Sequence, residues 1–470
     1  MLMQSQVRNP LGSAPALASA DPVPLCVDLD GTLVKSDMLL ESLVAALKRR
    51  PLLAFALPFW LARGRAALKR ELALRAEIDV AVLPYDEAVL QRLREARAQG
   101  RTVVLATAAD STLAQRIADH LGLFDTVLAS DGVKNLKREA KARELVARYG
   151  EKGFDYVGED RHDVPIWNHA REAIDVKRST SPVRAVRRGT RAYQWAKNLL
   201  VFVPLLTAHR WDADSISACT LAFVAFCLVA SAVYLANDLA DLQDDRRHPT
   251  KRARAIASGD LSIAAALALL PLLVAGAALI AWRLPPVFGA LLVTYIVANF
   301  AYSLALKRVA ILDVFVLAGL YTLRLLAGAA AIDVPVSPWL LAFALFLFLS
   351  LALAKRYVEI DNVLARDEEK VGGRGYHAGD GPLVAMLGTA SGYLGVLVFA
   401  LYVTSEQVAA LYRTPGILGF AIPLLLYWIS RVWLIAYRGA LHEDPLLFAL
   451  RDRTSYVVGA LVLATMLAAT

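Results

Sequence analysis

Hydrophobic positions divide the chain into two regimes. Up to about residue 190, short apolar runs alternate with stretches that mix apolar and charged residues at helical spacing. The short runs predict strands at 24–30, 101–107, 126–130, 154–158 and 173–176. Strands that alternate with helices argue for a parallel α/β sheet. From about Trp195 onward, long apolar runs alternate with short charged loops. A helix needs roughly 20 predominantly apolar residues to cross a bilayer. Nine segments qualify: 192–208, 216–237, 263–282, 286–306, 311–331, 338–354, 383–403, 415–437 and 454–469, the first and last being short. The expected architecture is a soluble α/β domain with a helical cap, followed by an all-α polytopic membrane bundle of about nine transmembrane helices.

Within the first regime, the domain proper is expected at 22–178, with residues 37–92 as the cap and 1–21 as a disordered tail. The tail ends in Ala18-Ser19-Ala20 but lacks the continuous apolar stretch of a signal peptide. Segment 52–61 (Leu-Leu-Ala-Phe-Ala-Leu-Pro-Phe-Trp-Leu) is too short to span and contains Pro58. It is read first as a core helix of the cap, with a place on the membrane surface as the alternative. Residues 179–191 form a basic linker, in which Arg184, Arg187, Arg188 and Arg191 suit anionic headgroups.

The net charge of +8 could suggest a nucleic-acid partner. Its distribution excludes one, because the cations sit in alternate loops of the apolar half. Loop 238–262 carries Arg246, Arg247, Lys251, Arg252 and Arg254, loop 306–311 carries Lys307 and Arg308, and loop 355–382 carries Lys355, Arg356, Arg366, Lys370 and Arg374. Loop 438–453 adds Arg438, Arg451 and Arg453, whereas the intervening loops hold only Arg210, Arg283 and Arg413. This asymmetry predicts that the cation-rich loops and residues 1–190 are cytoplasmic. The three cysteines, Cys26, Cys219 and Cys227, give no disulfide framework and are read as packing residues.

The polar signatures of the first half fall at strand ends, where parallel sheets place ligands. The first strand runs into Asp28-Leu29-Asp30-Gly31-Thr32-Leu33. One of its two carboxylates can attack phosphorus while the other protonates the leaving oxygen. The second strand ends in Thr107, a hydroxyl placed for phosphate. A later strand ends in Gly158-Glu159-Asp160-Arg161-His162-Asp163, with carboxylates four apart for Mg²⁺. Lys141, or else Lys137 or Lys134, could neutralise phosphate. Over roughly 22–178 this set resembles the haloacid dehalogenase superfamily of phosphatases. The resemblance implies Asp28 as nucleophile, Asp30 as acid/base, and Glu159 and Asp163 joining them around Mg²⁺. Most members have Asp where Glu159 stands.

In the second half, the stretch Asn237-Asp238-Leu239-Ala240-Asp241-Leu242-Gln243-Asp244-Asp245 follows directly on an apolar span. On a continuous helix, Asp238, Asp241 and Asp245 share one face, and Pro249 ends it. Three carboxylates on one face repel unless a cation lies among them, and Mg²⁺ held by carboxylates completes its shell with water and substrate phosphates. Lys251 and Arg254 follow as anion binders. Arg324 lies about 13 residues into its span, an expensive depth for a charge. It either holds a phosphate or pairs within the bundle, with Asp313 three turns earlier on nearly the same face. The loop after the sixth span reads Lys355-Arg356-Tyr357-Val358-Glu359-Ile360-Asp361-Asn362, basic residues joined to acidic ones. The pair Lys355-Arg356 has positive-inside anchoring as its plain explanation.

Over about 187–470 these features resemble the UbiA superfamily of intramembrane prenyltransferases, and within it the decaprenyl-phosphate phosphoribosyltransferase branch. Arg191-Ala192-Tyr193-Gln194-Trp195-Ala196-Lys197-Asn198 matches that branch's entry motif, with Ala192 in place of Pro. His248-Pro249-Thr250-Lys251-Arg252 and Tyr302-Ser303-Leu304-Ala305-Leu306-Lys307 fit as well, and Ala255 replaces a usual Pro. The resemblance implies Mg²⁺ on Asp238, Asp241 and Asp245. It also implies phosphate contacts from Lys197, Asn198, Asn237, Lys251, Arg254, Tyr302, Lys307, Arg324, Lys355, Arg356 and Glu359. The implied reaction moves 5-phosphoribose from phosphoribosyl pyrophosphate to a polyprenyl phosphate in the inner membrane, the fused phosphatase removing the 5-phosphate. Two alternatives stay open: prenyl transfer to an aromatic or other acceptor with an independent phosphatase, and a transport or lipid-binding bundle with a regulatory soluble domain. Self-association into a homo-oligomer is left open.

Overall fold

The computed structural model describes residues 22–470 except 160–162, 177–179, 366–370, 406–407, 409–410 and 442–443. The tail 1–21, the Asp160-Arg161-His162 portion of the acidic motif, and the loop cations Arg366 and Lys370 therefore lie outside the described residues. The chain divides into two compact units. The first runs to Ser181 and takes in Gln243–Ala253 and Ala257–Ile263. The second comprises Pro182–Leu242, Arg254–Ile256 and Ala264–Thr470.

In the first unit five parallel strands form one sheet in the order β3-β2-β1-β4-β5. They are β1 (Leu25–Val27), β2 (Val103–Asp110), β3 (Thr126–Ser130), β4 (Asp155–Gly158) and β5 (Ala173–Asp175). All five overlap the predicted runs, but β2 continues past Thr107 to Asp110. Both faces of β1 are covered, Leu25 and Val27 by one apolar cluster and Cys26 by another. This explains why its sequence is continuously apolar rather than alternating. The cap consists of helices Met38–Arg49, Leu57–Ala62 and Arg65–Arg75 with a 3₁₀ segment, Pro51–Ala56, between the first two. Asp37 caps the first helix by accepting from the amides of Leu39 and Leu40. The helix Glu87–Ala98 packs Val89, Leu90 and Leu93 into the sheet's core. The returning segment Gln243–Ala253 is held in this unit by Arg246, whose guanidinium meets Glu41 through two contacts of 2.5 and 3.0 Å. Both side chains are almost wholly buried.

The second unit is helical. Among the described residues, seven stretches are long and apolar enough to cross a membrane: Ala213–Ala240, Ile263–Ala281, Pro286–Leu304, Leu312–Ala331, Pro338–Leu364, Ala378–Val403 and Pro415–Tyr437. The last predicted span is the shorter apolar helix Arg453–Ala469. The first, 192–208, folds as a 3₁₀ helix, Ala192–Phe202, followed by one α-turn, Val203–Thr207. This segment is wedged into the bundle. The carbonyl of Val201 lies where a side chain on Gly328 would stand, 2.1 Å from an ideal Cβ. Nine is therefore an approximate count: seven full-length spans and two shorter apolar segments.

Candidate active sites

The first unit gathers its titratable residues at the carboxyl ends of β1, β2 and β4. After β1, Gly31 adopts φ +81°, a left-handed conformation that suits glycine. Asp28 Oδ1 accepts from Lys141 Nζ at 2.8 Å and from the amide of Leu29 at 2.9 Å. The same ammonium donates to the Tyr156 hydroxyl at 2.9 Å, and that hydroxyl donates to Asp163 Oδ1 at 3.2 Å. Lys141 is buried, whereas Lys134 is exposed and paired with Glu144. Asp30 Oδ1 accepts from the amide of Met38 at 2.7 Å. Burial, then Asp37 and Asp28, push the Asp30 carboxyl up to about 7. Burial and Asp28 push Asp163 up to about 6. Thr107 is fully buried, its hydroxyl accepting from the amide of Ala109 at 2.9 Å. The amide of Glu159 donates to Asp163 Oδ2 at 3.2 Å. At Gly158 a Cβ would stand 2.5 Å from that oxygen.

A cationic residue from the cap joins this cluster. Lys69, on the helix Arg65–Arg75, donates to the carbonyl of Ala108 at 2.5 Å and to Asn135 Oδ1 at 3.1 Å. Burial lowers its pKa, and Asp30 and Asp37 pull the other way. Lys69 and Tyr156 escape a sequence reading because neither belongs to a local motif.

Among the described residues, no three His, Cys, Asp or Glu side chains are already arranged as a metal-holding group. The donor chemistry nonetheless fits Mg²⁺ in the first unit. Asp28, Asp30 and Asp163 are hard oxygen donors, and the charge of Asp28 adds to burial in raising the carboxyls of Asp30 and Asp163. Mg²⁺ is commonly held by one or two carboxylates, with water and substrate phosphate completing its shell.

The second unit contains a cavity of about 490 Å³, within the size range of small-molecule sites. Of the residues the sequence singles out, it brings together Lys197, Asn237, Tyr302, Arg324 and Lys355. Arg324 is buried: Nε donates to Asn198 Oδ1 at 2.9 Å and Nη2 to the Tyr295 hydroxyl at 2.8 Å. Its guanidinium also lies over the rings of Tyr295 and Tyr321, 4.8 and 5.4 Å from their centroids. These contacts, rather than Asp313, hold Arg324, and Asn198 acts as its orienting acceptor. Lys197 and Lys355 both donate to Asp444 Oδ2, at 2.9 and 3.2 Å. Burial alone would raise the Asp444 carboxyl, but Lys355 and Lys197 outweigh it and hold the group well below the usual carboxylate range.

The Asp-rich segment is not one continuous helix. The span Ala213–Ala240 stops at Asp241, and a separate helix, Leu242–Arg247, follows. Asp241 is the C-cap residue, at φ −98° and ψ 14°, where the backbone leaves the helical path. Asp238 and Asp241 belong to the second unit and Asp245 to the first. Asp238 is buried and clasped by Arg191 and by Arg254, the latter at 3.1 Å. Asp238 and Asp241 are the oxygen donors Mg²⁺ favours, and a cation on Asp238 would compete with those guanidinium groups. Lys251 lies in a 3₁₀ turn of the first unit, and Lys307 in a 3₁₀ turn outside the cavity lining.

Arg356 and Glu359 also lie outside that lining. Arg356, with no exposed side-chain surface, pairs with Asp313 at 2.8 Å and with Glu359. Arg374 meets Glu359 at 3.0 Å and donates to the Tyr302 hydroxyl at 2.9 Å. This network braces the wall carrying Tyr302. The cavity also contains residues the sequence reading did not assign to a site: Arg191, Tyr234, Tyr295, Tyr321 and Asp444. Arg191 could have been found as the first cation of the entry motif. Asp444 stood in a loop read for its cations.

The UbiA prenyltransferase family model matches residues 178–451, and the haloacid dehalogenase-like hydrolase model matches 25–166. The uncharacterized protein y4nM of Sinorhizobium fredii is 39% identical over 98% of this chain and 94% of its own. The decaprenyl-phosphate phosphoribosyltransferase of Mycobacterium tuberculosis is 32% identical, over 61% of this chain and 94% of its own. A solved UbiA homologue from Archaeoglobus fulgidus, bound to GPP and Mg²⁺, aligns over 61% of this chain and 99% of its own at 15% identity with a TM-score of 0.47. The chain is therefore a multi-span membrane enzyme that belongs to the UbiA prenyltransferase family and carries a haloacid dehalogenase-like hydrolase domain before its family domain.

Proposed function

We propose that the second unit transfers 5-phosphoribose from phosphoribosyl pyrophosphate to a polyprenyl phosphate, and that the first unit then removes the 5-phosphate from the lipid-linked product. The observation that carries this reading is the convergence of Arg191, Lys197, Arg324 and Lys355 on one cavity. A donor with a diphosphate and a phosphate, meeting an acceptor phosphate, needs that concentration of positive charge. The similarity to decaprenyl-phosphate phosphoribosyltransferases supports the same substrates. Lys197 and Lys355 would hold phosphate oxygens, and Arg324, fixed by Asn198 and Tyr295, would present a rigid guanidinium to another. The acceptor's phosphate oxygen attacks C1 of the ribose, the bond from C1 to the pyrophosphate oxygen breaks, and pyrophosphate leaves. The nucleophile is already an anion, so the site's work is to position two anions and screen their repulsion. Mg²⁺, when bound at Asp238 and Asp241, would supply further charge neutralisation.

In the hydrolase unit Asp28 would attack the 5-phosphate, while Asp30 donates its proton to the leaving sugar oxygen. Water then releases phosphate from Asp28. Lys141 and Thr107 would bind phosphate oxygens, and Mg²⁺ on Asp28 and Asp163, with Glu159 beside them, would offset the charge while the Asp30 carboxyl keeps its proton. The clustering of Lys and Arg in alternate loops supports an inner-membrane location with the hydrolase unit and active-site loops in the cytoplasm.

The test uses purified full-length protein in detergent with Mg²⁺, a polyprenyl phosphate and phosphoribosyl pyrophosphate. Pyrophosphate release that requires both substrates and Mg²⁺, and is lost in Asp238→Ala, is the expected outcome. Consumption of a prenyl diphosphate without phosphoribosyl pyrophosphate would instead assign prenyl transfer.

A further inference from the structure

The cap presents an apolar tip that its own fold does not cover. In the segment Pro51–Ala62, Trp60 is buried with Ala46 and Leu72, and Leu53 and Leu57 pack against them. Arg75 lies over the Trp60 ring at 4.9 Å. This inward face accounts for the segment's place in the cap core. The opposite face is different: Leu52 is 78% exposed, Phe55 84%, Phe59 64% and Leu61 52%. Four large apolar side chains within ten residues, all facing out, are not the scattered single exposures ordinary on a soluble surface.

Charge identifies the occupant. Between Ser42 and Arg70 the chain carries seven Lys or Arg and no Asp or Glu. Arg50, Arg63 and Arg65 are exposed at the two ends of the apolar segment, and the Arg63 guanidinium stands 6.0 Å from the Phe59 ring centroid. An apolar face bordered by cations is the chemistry of an interfacial element. The rings enter the acyl boundary, while the arginines, with their apolar stems alongside, stay at headgroup level. A protein partner would need a matching apolar pocket with an acidic rim. A bilayer with anionic lipid offers both properties at once, and the chain's own membrane spans tether this unit to one.

We propose that Leu52–Leu61 is a monotopic membrane contact, seating the hydrolase cap in the headgroup region of an anionic bilayer through Leu52, Phe55, Phe59 and Leu61. At twelve residues, Pro51–Ala62 cannot span, so the contact is with one leaflet. The site so placed would receive a substrate whose polyprenyl chain never leaves the membrane, although the contact itself stands apart from the substrate assignment.

The test uses the full-length protein in nanodiscs of phosphatidylglycerol and phosphatidylcholine, carrying Phe55→Cys or Phe59→Cys labelled with an environment-sensitive nitrobenzoxadiazole probe. The three native cysteines are buried, which limits background labelling. Gln91→Cys, on an exposed polar helix face, is the control. Both tip probes are expected to emit at shorter wavelength than the control and to lose intensity when the lipids carry brominated acyl chains. Arg50→Glu with Arg65→Glu should weaken that loss. Emission at the aqueous wavelength, quenched by iodide and not by brominated lipid, would overturn the proposal. A blue shift without quenching by brominated lipid would overturn it too, because a protein surface would then be covering the tip.

Discussion

Lys197 and Asp444, 247 residues apart in the chain, meet at 2.9 Å in the wall of the membrane cavity. Lys355 reaches the same carboxylate oxygen, so one acid holds two lysines in place. Substrate phosphate would take over these ammonium groups from a carboxylate that already fixes their positions. Lys197→Ala should therefore reduce transferase kcat/KM by about 10²-fold, the scale of losing one preorganised electrostatic donor. Lys355 remains to pair Asp444, so the fold should survive. Pyrophosphate-release kinetics together with thermal unfolding in detergent check both halves, and unchanged kinetics would remove Lys197 from the site.

Asp28→Asn separates the two units' chemistry. The substitution removes the anion that Lys141 pairs with at 2.8 Å and that would attack phosphorus. Pyrophosphate release should continue at the wild-type rate, while the lipid product accumulates with its 5-phosphate, seen as one extra phosphate group by mass spectrometry. Identical lipid products in mutant and wild type would refute the coupling of the two activities.

How much of this could be read in the sequence depends on how local each signal is. The five strands were legible because each is an apolar run short enough for a strand, and β1 at the centre of the sheet is covered on both faces, as Cys26 and Val27 illustrate. Asp28 and Asp30 were legible because two carboxylates and a Gly-Thr turn sit within five residues. Lys141 could be named only as one of three lysines, since its contact with Asp28 spans 113 residues. Arg356 and Glu359 looked like phosphate ligands because they neighbour Lys355 in sequence. On the helix Pro338–Leu364, however, Lys355 lines the cavity together with Phe348, Leu351 and Ala352, whereas Arg356 is directed at Asp313. Asp444 carried no local mark, because its meaning comes from two lysines on distant segments.

At Gly328 a single backbone atom decides the packing. A Cβ there would stand 2.1 Å from the Val201 carbonyl oxygen, which is backbone and cannot rotate away. Gly328→Val should force the helix Leu312–Ala331 and the 3₁₀ segment Ala192–Phe202 apart, at a cost of about 1–3 kcal/mol. The same displacement would move Lys197 and Arg324, which those two elements carry. The expected result is a lower unfolding temperature in detergent with a proportionally larger loss of transferase rate. A variant as stable as wild type would show that the segment can shift freely.

The pair formed by Asp313 and Arg356 separates a structural role from phosphate binding. Both side chains have no exposed surface and stand 2.8 Å apart, with the Tyr376 hydroxyl donating to Asp313 at 2.6 Å. Removing one partner of a buried pair costs about 3–5 kcal/mol, whereas replacing both with apolar residues is often neutral; here the loss falls towards the lower figure, because Arg374 stands 3.7 Å from Asp313 and 3.0 Å from Glu359. Arg356→Met alone should therefore lower stability sharply, and Arg356→Met with Asp313→Leu should recover most of it. If Arg356 acts only through the fold, the double variant regains transferase activity along with its unfolding temperature. A double variant that is stable yet inactive would instead place the Arg356 guanidinium on substrate phosphate during turnover, which requires it to leave Asp313.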